Sequence, residues 1–541
     1  MRRLSARWIA TLAIALLGLS SSSGCSTPPP PGHLEIVLLE ADDCGACNLY
    51  RSFHDGAYPT QLAGYPGQGS IPVRVERKSA LSDALRNQLR PHEFWSQSLS
   101  VAVLRDGKLL HLANIAEASD VARARFPAAI MAPASKADHL RAIEPGHFYG
   151  EYFKATWQLN YFVDVALGKR PRNPSLRESM LGEAGTLPGV APRNLILWGS
   201  AGTPFANSLY IAERMQQVRT RLQPDDHRVA PNTVMLYGNG SDPTRDTSTV
   251  LDGQLAYGQS GIDTPYSPDA PTLAGLFHSL QGTQRNLIVQ IGHSGPTGAP
   301  LWGQLANLDA PLLESLLAAT HSDTVMVSGA CHSGQFAKAP SCGFFAARPE
   351  IVASGCQRTP EALRHSDDYL RHYFDSLRER SADLDGDGAV SFSEAHWVAA
   401  VSQEDHQIAY DSLDPHVDLW WQQHAVSLPA QISFAELRAL ARSSGDAGER
   451  WAVEHFASRV PATQMIGTRD ALARNALAMT RLTKLGEAPS AQRNRAMAMD
   501  YPLVLTALAR RLLWRSRHTL NTSQRAIEAC GARAVSGFLA N

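Results

Sequence analysis

Four apolar runs of strand length, each closed by a glycine-rich turn and spaced by helix-length segments, constrain this chain more than any other feature. Residues 194–198 run into Gly199-Ser200-Ala201-Gly202, and 233–237 into Gly238-Asn239-Gly240. Residues 286–291 run into Gly292-His293-Ser294-Gly295, and 324–328 into Gly329-Ala330-Cys331-His332-Ser333-Gly334. Continuously apolar strands alternating with helices, here 207–222, 272–280 and 309–319, predict a parallel sheet covered on both faces. Asp309 is the expected cap of the third helix, with Pro311 in its first turn, where proline is tolerated. One more strand is expected at 350–353. The fold class is α/β.

In such sheets ligands bind beyond the carboxyl ends of the strands. His293 and Cys331 fall just past the ends of two successive strands. A thiol and an imidazole at one sheet edge can form a nucleophile–base pair that attacks a carbonyl carbon. The two motifs resemble those of the caspase/legumain clan of cysteine peptidases, the legumain-like branch most closely, over roughly residues 191–360. There one strand ends in Gly-His-Gly and a later one in Ala-Cys-x-Ser-Gly. Ala330 to Gly334 match the second motif fully, and Gly292-His293 match the first, with Ser294 in place of the following Gly. The resemblance implies Cys331 as nucleophile, His293 as acid/base, and an oxyanion held by backbone N–H groups of Ser294, Gly295 and Cys331. It implies a polypeptide substrate. Ala201 stands where legumains carry an Asn that orients the His, and Phe205-Ala206-Asn207 where they carry a specificity Arg, so Asn/Asp specificity is not implied. A non-catalytic, polypeptide-binding form of the domain is one alternative. A serine hydrolase with Ser294 in a G-x-S-x-G-like elbow is another, although Pro296 to Pro300 break the helix such an elbow requires.

Asp383-Leu384-Asp385-Gly386-Asp387-Gly388-Ala389-Val390-Ser391-Phe392-Ser393-Glu394 is a complete EF-hand calcium loop. Asp383, Asp385 and Asp387 supply positions 1, 3 and 5, and Gly386 makes the sharp turn. Ala389 offers its carbonyl, Ser391 sits at position 9, and Glu394 closes the loop bidentately. The expected cofactor is Ca²⁺. No partner hand is visible, which favours a structural ion.

The N-terminus reads as an address. Arg2, Arg3 and Arg7 precede an apolar stretch at 8–19, and small residues lead to Cys25, a secretory signal pattern. Ser22-Ser23-Gly24-Cys25 resembles the lipobox of bacterial lipoproteins, which implies lipidation of Cys25 and an exported chain anchored in the cell envelope. A Pro-rich spacer, 25–32, follows. A strand at 36–39 is then followed by Cys44-Gly45-Ala46-Cys47 and a helix-like stretch at 48–54. A CxxC at a strand-to-helix turn makes the first Cys a thiolate nucleophile and the second a resolving thiol. With a strand at 71–75, a helix at 80–89 and a hairpin at 101–112, residues 33–122 resemble the thioredoxin fold. A redox pair and a static disulfide both remain open for Cys44 and Cys47.

The expected order is therefore a signal (1–24), a spacer, a thioredoxin-like domain (33–122), a connector (123–190), a caspase/legumain-like domain (191–430) and a helical C-terminal region (431–541). Aromatic residues at 148–162 predict a packed helix within the connector. Cys342 and Cys356 flank the segment after Cys331, and an oxidising compartment allows them to form a disulfide. Charge is balanced, with 50 basic and 51 acidic residues, which argues against a nucleic-acid-coating protein. Residues 431–541 nevertheless carry 16 basic and 8 acidic side chains. Their arginines either meet an anionic partner or lipid, or pack on the acidic remainder of the chain.

Overall fold

The computed structural model describes residues 32–40, most of 60–114, 156–169, most of 176–349, Ala353, and residues 368–402, 408–424, 427–468 and 489–539. Cys25, Cys44, Cys47 and Cys356, the signal, and the helix expected at 48–54 lie outside the described residues. The chain is mixed α/β, with parallel and antiparallel sheets. Among the described residues no helix is long and apolar enough to cross a membrane.

The first sheet holds β1 (Leu34–Glu40), β2 (Gln61–Tyr65), β3 (Gly69–Arg77), β4 (Leu99–Arg105) and β5 (Lys108–Asn114), in the order β2-β3-β1-β4-β5. β1 is its centre because its run Leu-Glu-Ile-Val-Leu-Leu is buried almost throughout. It pairs in parallel with β3 and antiparallel with β4. Pro72 is tolerated because pairing with β1 starts one residue later, at Val73. Asp106 and Gly107 take positive φ of 51° and 75°, the geometry a two-residue hairpin between β4 and β5 requires. The helix Asp83–Leu89 buries Leu85 and Leu89 against Val37, Leu39, Ala102 and Leu104. The helix Thr156–Ala166, expected in the connector, packs on β2, β4 and β5 and ties Asp164 to the Tyr65 hydroxyl at 2.6 Å. This first body therefore extends beyond residue 122.

The second sheet contains β6 (Arg193–Ser200), β7 (Asn232–Leu236), β10 (Arg285–Gly292), β13 (Asp323–Ser328), β14 (Cys342–Phe345) and β15 (Tyr410–Asp411). Between them lie the hairpin β8 (Thr247–Leu251) with β9 (Gln254–Gly258) and the short pair β11 (Ala299–Pro300) with β12 (Asn307–Leu308). The order is β7-β6-β10-β13-β14-β15, the first five parallel and β15 antiparallel at the edge. One face packs on the helices Leu209–Leu222, Tyr369–Ser376 and Phe392–Ser402. The other packs on Leu176–Leu181, Ala270–Ser279 and Ala310–Thr320. Asp309 caps the last of these, its carboxylate accepting from the Leu312 amide at 2.9 Å.

Two expectations need correction. The fifth parallel strand among the described residues is β14, a segment not expected as a strand. Its adjacent Phe344 and Phe345 point to opposite faces and fill one core each, which fixes this four-residue segment in the sheet. Ala353 belongs to no strand, and 350–352 lie outside the described residues. Cys342 is bonded to Cys530, 188 residues away, and not to Cys356. The reason is that the helix Thr522–Gly531 lies against β14.

That disulfide also shows that 431–541 is no separate region. Val535, Phe538 and Leu539 belong to the same core as Phe344 and Phe392. The helices Phe434–Ser444, Ala447–His455 and Pro489–Arg517 pack with Trp421, Leu508 and Trp514, while β16 (Gln431–Ser433) and β17 (Met465–Gly467) close a small pair beside them. Three of the tail's arginines, Arg510, Arg511 and Arg515, face inward, whereas Arg442, Arg450, Arg459, Arg517 and Arg525 are exposed. Arg511 lies between Asp411 (2.7 Å), Asp414 (3.4 Å) and Glu449 (2.5 Å), Arg515 meets Glu449 at 2.8 Å, and Arg510 meets Asp418 at 2.9 Å. Arg510 and Arg511 are thus met by carboxylates of this chain outside the tail, Asp411, Asp414 and Asp418.

Candidate active site and metal loop

β10 and β13 are neighbours in register, with Gln290 opposite Ser328. β10 ends at Gly292 and β13 at Ser328, so His293 is the first residue past one strand and Cys331 the third past the other, both beyond the carboxyl ends of adjacent strands about 4.8 Å apart. Gly292 makes the exit after β10. Its φ is 119°, and a Cβ there would come within 2.6 Å of the Ser200 carbonyl. The His293 amide then donates to that carbonyl at 2.8 Å.

The turn after β13 is built from its glycines. A Cβ on Gly329 would lie 2.5 Å from Leu370, and one on Gly334 would lie 2.8 Å from the Ala347 carbonyl. Gly334 also donates to that carbonyl at 2.8 Å. Between them Cys331 is half-buried and outside any disulfide, with Sγ 3.5 Å from the Ala353 carbonyl. His332 takes a left-handed φ of 53°, and its Nδ1 lies 2.8 Å from the Pro349 carbonyl, so it faces away from a catalytic role.

Gln335, which sequence reasoning missed, joins the two turns. Its Nε2 donates to the Gly295 carbonyl at 2.8 Å and lies 3.1 Å from both Ser294 Oγ and the His332 carbonyl. Ser294 is buried. The chain after it enters a tight turn, with Gly295 N–H donating to the Gly298 carbonyl at 2.9 Å, and then β11. No helix follows Ser294 directly, and Ala201 is fully buried past the end of β6.

The 383–394 loop is held between a single turn at Arg380–Ala382 and the helix Phe392–Ser402. Carboxylate oxygens of Asp383, Asp385 and Asp387 lie within 4.8 Å of one another. Gly386 and Gly388 take φ of 78° and 94°. Glu394 reaches back under the loop, accepting from the amides of Leu384 (2.7 Å), Asp385 (3.0 Å) and Ser391 (2.8 Å). An all-oxygen donor set with several carboxylates fits a hard divalent cation.

Where a partner hand would pair with the loop, the C-terminal segment does so instead. The Phe392 amide donates to the Arg533 carbonyl and the Val535 amide to the Val390 carbonyl, both at 3.1 Å, bridging Ser391 to Ala534. Behind the loop a cavity of about 260 Å³ is lined by Asp385, Glu394, Asp446, Arg511 and the Cys342 end of the disulfide. Buried groups around it are strongly perturbed. Burial pushes His396 down to about 4, and burial with the Asp411 charge pushes Asp414 up to about 7.

No family model matches the chain, and no curated protein matches it in sequence.

Proposed function

We propose that the chain is an exported cysteine endopeptidase of the caspase/legumain type, lipid-anchored through Cys25. The observation that carries this reading is the placement of His293 and Cys331 just past the carboxyl ends of adjacent parallel strands. On it, the Cys331 thiolate attacks the scissile carbonyl carbon while His293 holds the thiol proton. His293 gives that proton to the leaving amine, and a thioester remains on Cys331. Water, deprotonated by His293, then displaces the thiolate and releases the new carboxyl end. Because the Gly295 N–H is engaged in its turn, the oxyanion falls to the N–H groups of Ser294 and Cys331. Ser294 as nucleophile is the weaker reading, since a tight turn and not a helix follows it.

A thioredoxin-like role for the first body is supported by one feature. The CxxC leaves the carboxyl end of the central strand β1, four residues past Glu40, where a helix N-terminus would depress the Cys44 pKa. Calcium in the 383–394 loop is supported by its clustered carboxylates and its two positive-φ glycines.

Iodoacetamide alkylation followed by peptide mapping tests the peptidase reading. Cys331 of the folded protein should react faster at pH 7 than an ordinary thiol of pKa ~8.5, and His293→Ala should remove that advantage. Equal reactivity in both forms would contradict it.

A further inference from the structure

A polar rung crosses the catalytic end of the second sheet. Ser200 ends β6, Gln290 lies three residues before His293, and Ser328 three before Cys331. All three are fully buried, each flanked by apolar strand residues. We propose that Gln290, with Ser200 and Ser328, is a positioning residue for the His293–Cys331 pair, a neutral hydrogen-bonded rung that sets the two turns against each other. The inference rests on the peptidase reading.

The hydrogen bonds run in one sense from one turn to the other. The Ala330 amide, beside Cys331, donates to Ser328 Oγ at 3.3 Å. Ser328 Oγ donates to Gln290 Oε1 at 2.7 Å, and Gln290 Nε2 donates to Ser200 Oγ at 3.3 Å. Ser200 Oγ then donates to the carbonyl of His293 itself at 2.7 Å. Gln290 Oε1 can only accept, so Ser328 Oγ donates to it, and Ser200 Oγ, accepting from Gln290 Nε2, has its one proton for the His293 carbonyl, with the Ile291 carbonyl farther off at 3.4 Å. Such chains strengthen along their length at low local dielectric. The rung carries no charge, so it orients the dyad without competing for its proton.

The opposite end of the sheet supplies a comparison. There Asn232 donates to Asn194 at 2.7 Å, Asn194 to Asn286 at 2.8 Å, and Asn286 to Thr283 and Ser322, both at 2.9 Å. This second rung joins β7, β6 and β10, is equally buried at Asn194 and Asn286, and touches neither catalytic turn. A generic requirement for buried polar pairing would make the two rungs equivalent. A positioning role makes them differ.

The test is the pH profile of Cys331 alkylation by iodoacetamide, read by peptide mapping on the full chain. Wild type should show an inflection below the ordinary thiol value of ~8.5. Gln290→Leu should move that inflection back toward it and slow alkylation at pH 7 by about tenfold, the consequence of one pKa unit. Ser200→Ala, Gln290→Leu and Ser328→Ala combined remove every side-chain partner together, so this chain should fold even where the single change does not, and should show the same loss. Asn286→Ala should lower the melting temperature and leave the profile in place. A wild-type profile in the triple variant, or the same displaced profile in Asn286→Ala, would overturn the rung. A wild-type inflection already at ~8.5 would instead overturn the peptidase reading on which it stands.

Discussion

The dyad edge and the metal loop solve the problem of gathering functional groups in opposite ways. The loop collects its ligands within twelve consecutive residues and holds them with local hydrogen bonds from backbone to carboxylate. The proposed dyad draws on two residues 38 apart in sequence, and only the pairing of β10 with β13 brings them to one sheet edge. The loop's groups are charged, and the protein behind them is a network of buried ion pairs. The rung behind the dyad is neutral throughout. The lesson is that a contiguous, charged site is written locally but depends on distant counter-charges, whereas a split site depends on register and on neutral bonds that fix it.

The largest expected effect lies in the charged region. Glu449 is fully buried and accepts from both Arg511 and Arg515. Glu449→Gln leaves two buried guanidiniums short of a counter-charge and should cost about 3–5 kcal/mol in urea unfolding, with the sheet core of β6 and β10 kept last. A loss below about 1 kcal/mol would erase the distinction between the two regions. Next in size, Glu394→Gln should weaken calcium binding on the order of tenfold or more by titration calorimetry, because a bidentate charged ligand is lost. Absence of calcium binding to the wild type would remove the loop from the comparison altogether. A smaller effect sharpens it. Val535→Pro deletes the amide that bonds Val390, at the first position of the helix Val535–Leu539, where proline is tolerated. One hydrogen bond of about 1 kcal/mol should weaken calcium severalfold if the C-terminal segment supports the loop.

The smallest effect concerns pH. Asp414 holds its proton more tightly folded, at about 7, than unfolded, at 3.8. Its contribution therefore favours folding at low pH and is lost as pH rises through 7. Asp414→Asn removes that loss, so the stability of the variant relative to wild type should climb from about pH 4 to pH 7 and then level. A flat difference would show that Arg511 keeps Asp414 ionised throughout.

The same contrast explains what the sequence revealed. The parallel sheet, its order of strands and helices, and the Asp309 cap were legible because apolar runs and glycine turns are local signals. The clustering of Asp383, Asp385 and Asp387 was legible for the same reason, because they sit within five consecutive residues. The Cys342–Cys530 bond was not, since β14 is four residues long and its partner helix arrives 188 residues later. Nor was the inward packing of Arg510, Arg511 and Arg515, because a charge count cannot tell a solvated face from a buried pair. The helix Thr156–Ala166 was legible as a packed helix, but not as part of the first body. Gln290 was visible as a polar residue near the end of an apolar run, and only the register gives it partners. Gln335 had no signal beyond its place one residue after Gly334.

The central claim is that Cys331 and His293 form a working pair, and peptide cleavage tests it most directly. A diverse peptide pool incubated with the full chain, with new ends read by mass spectrometry, should show cleavage by the wild type and none by Cys331→Ser or His293→Ala. Cleavage that survives in Cys331→Ser and disappears in Ser294→Ala, or a correctly folded wild type that cleaves nothing, would contradict the account.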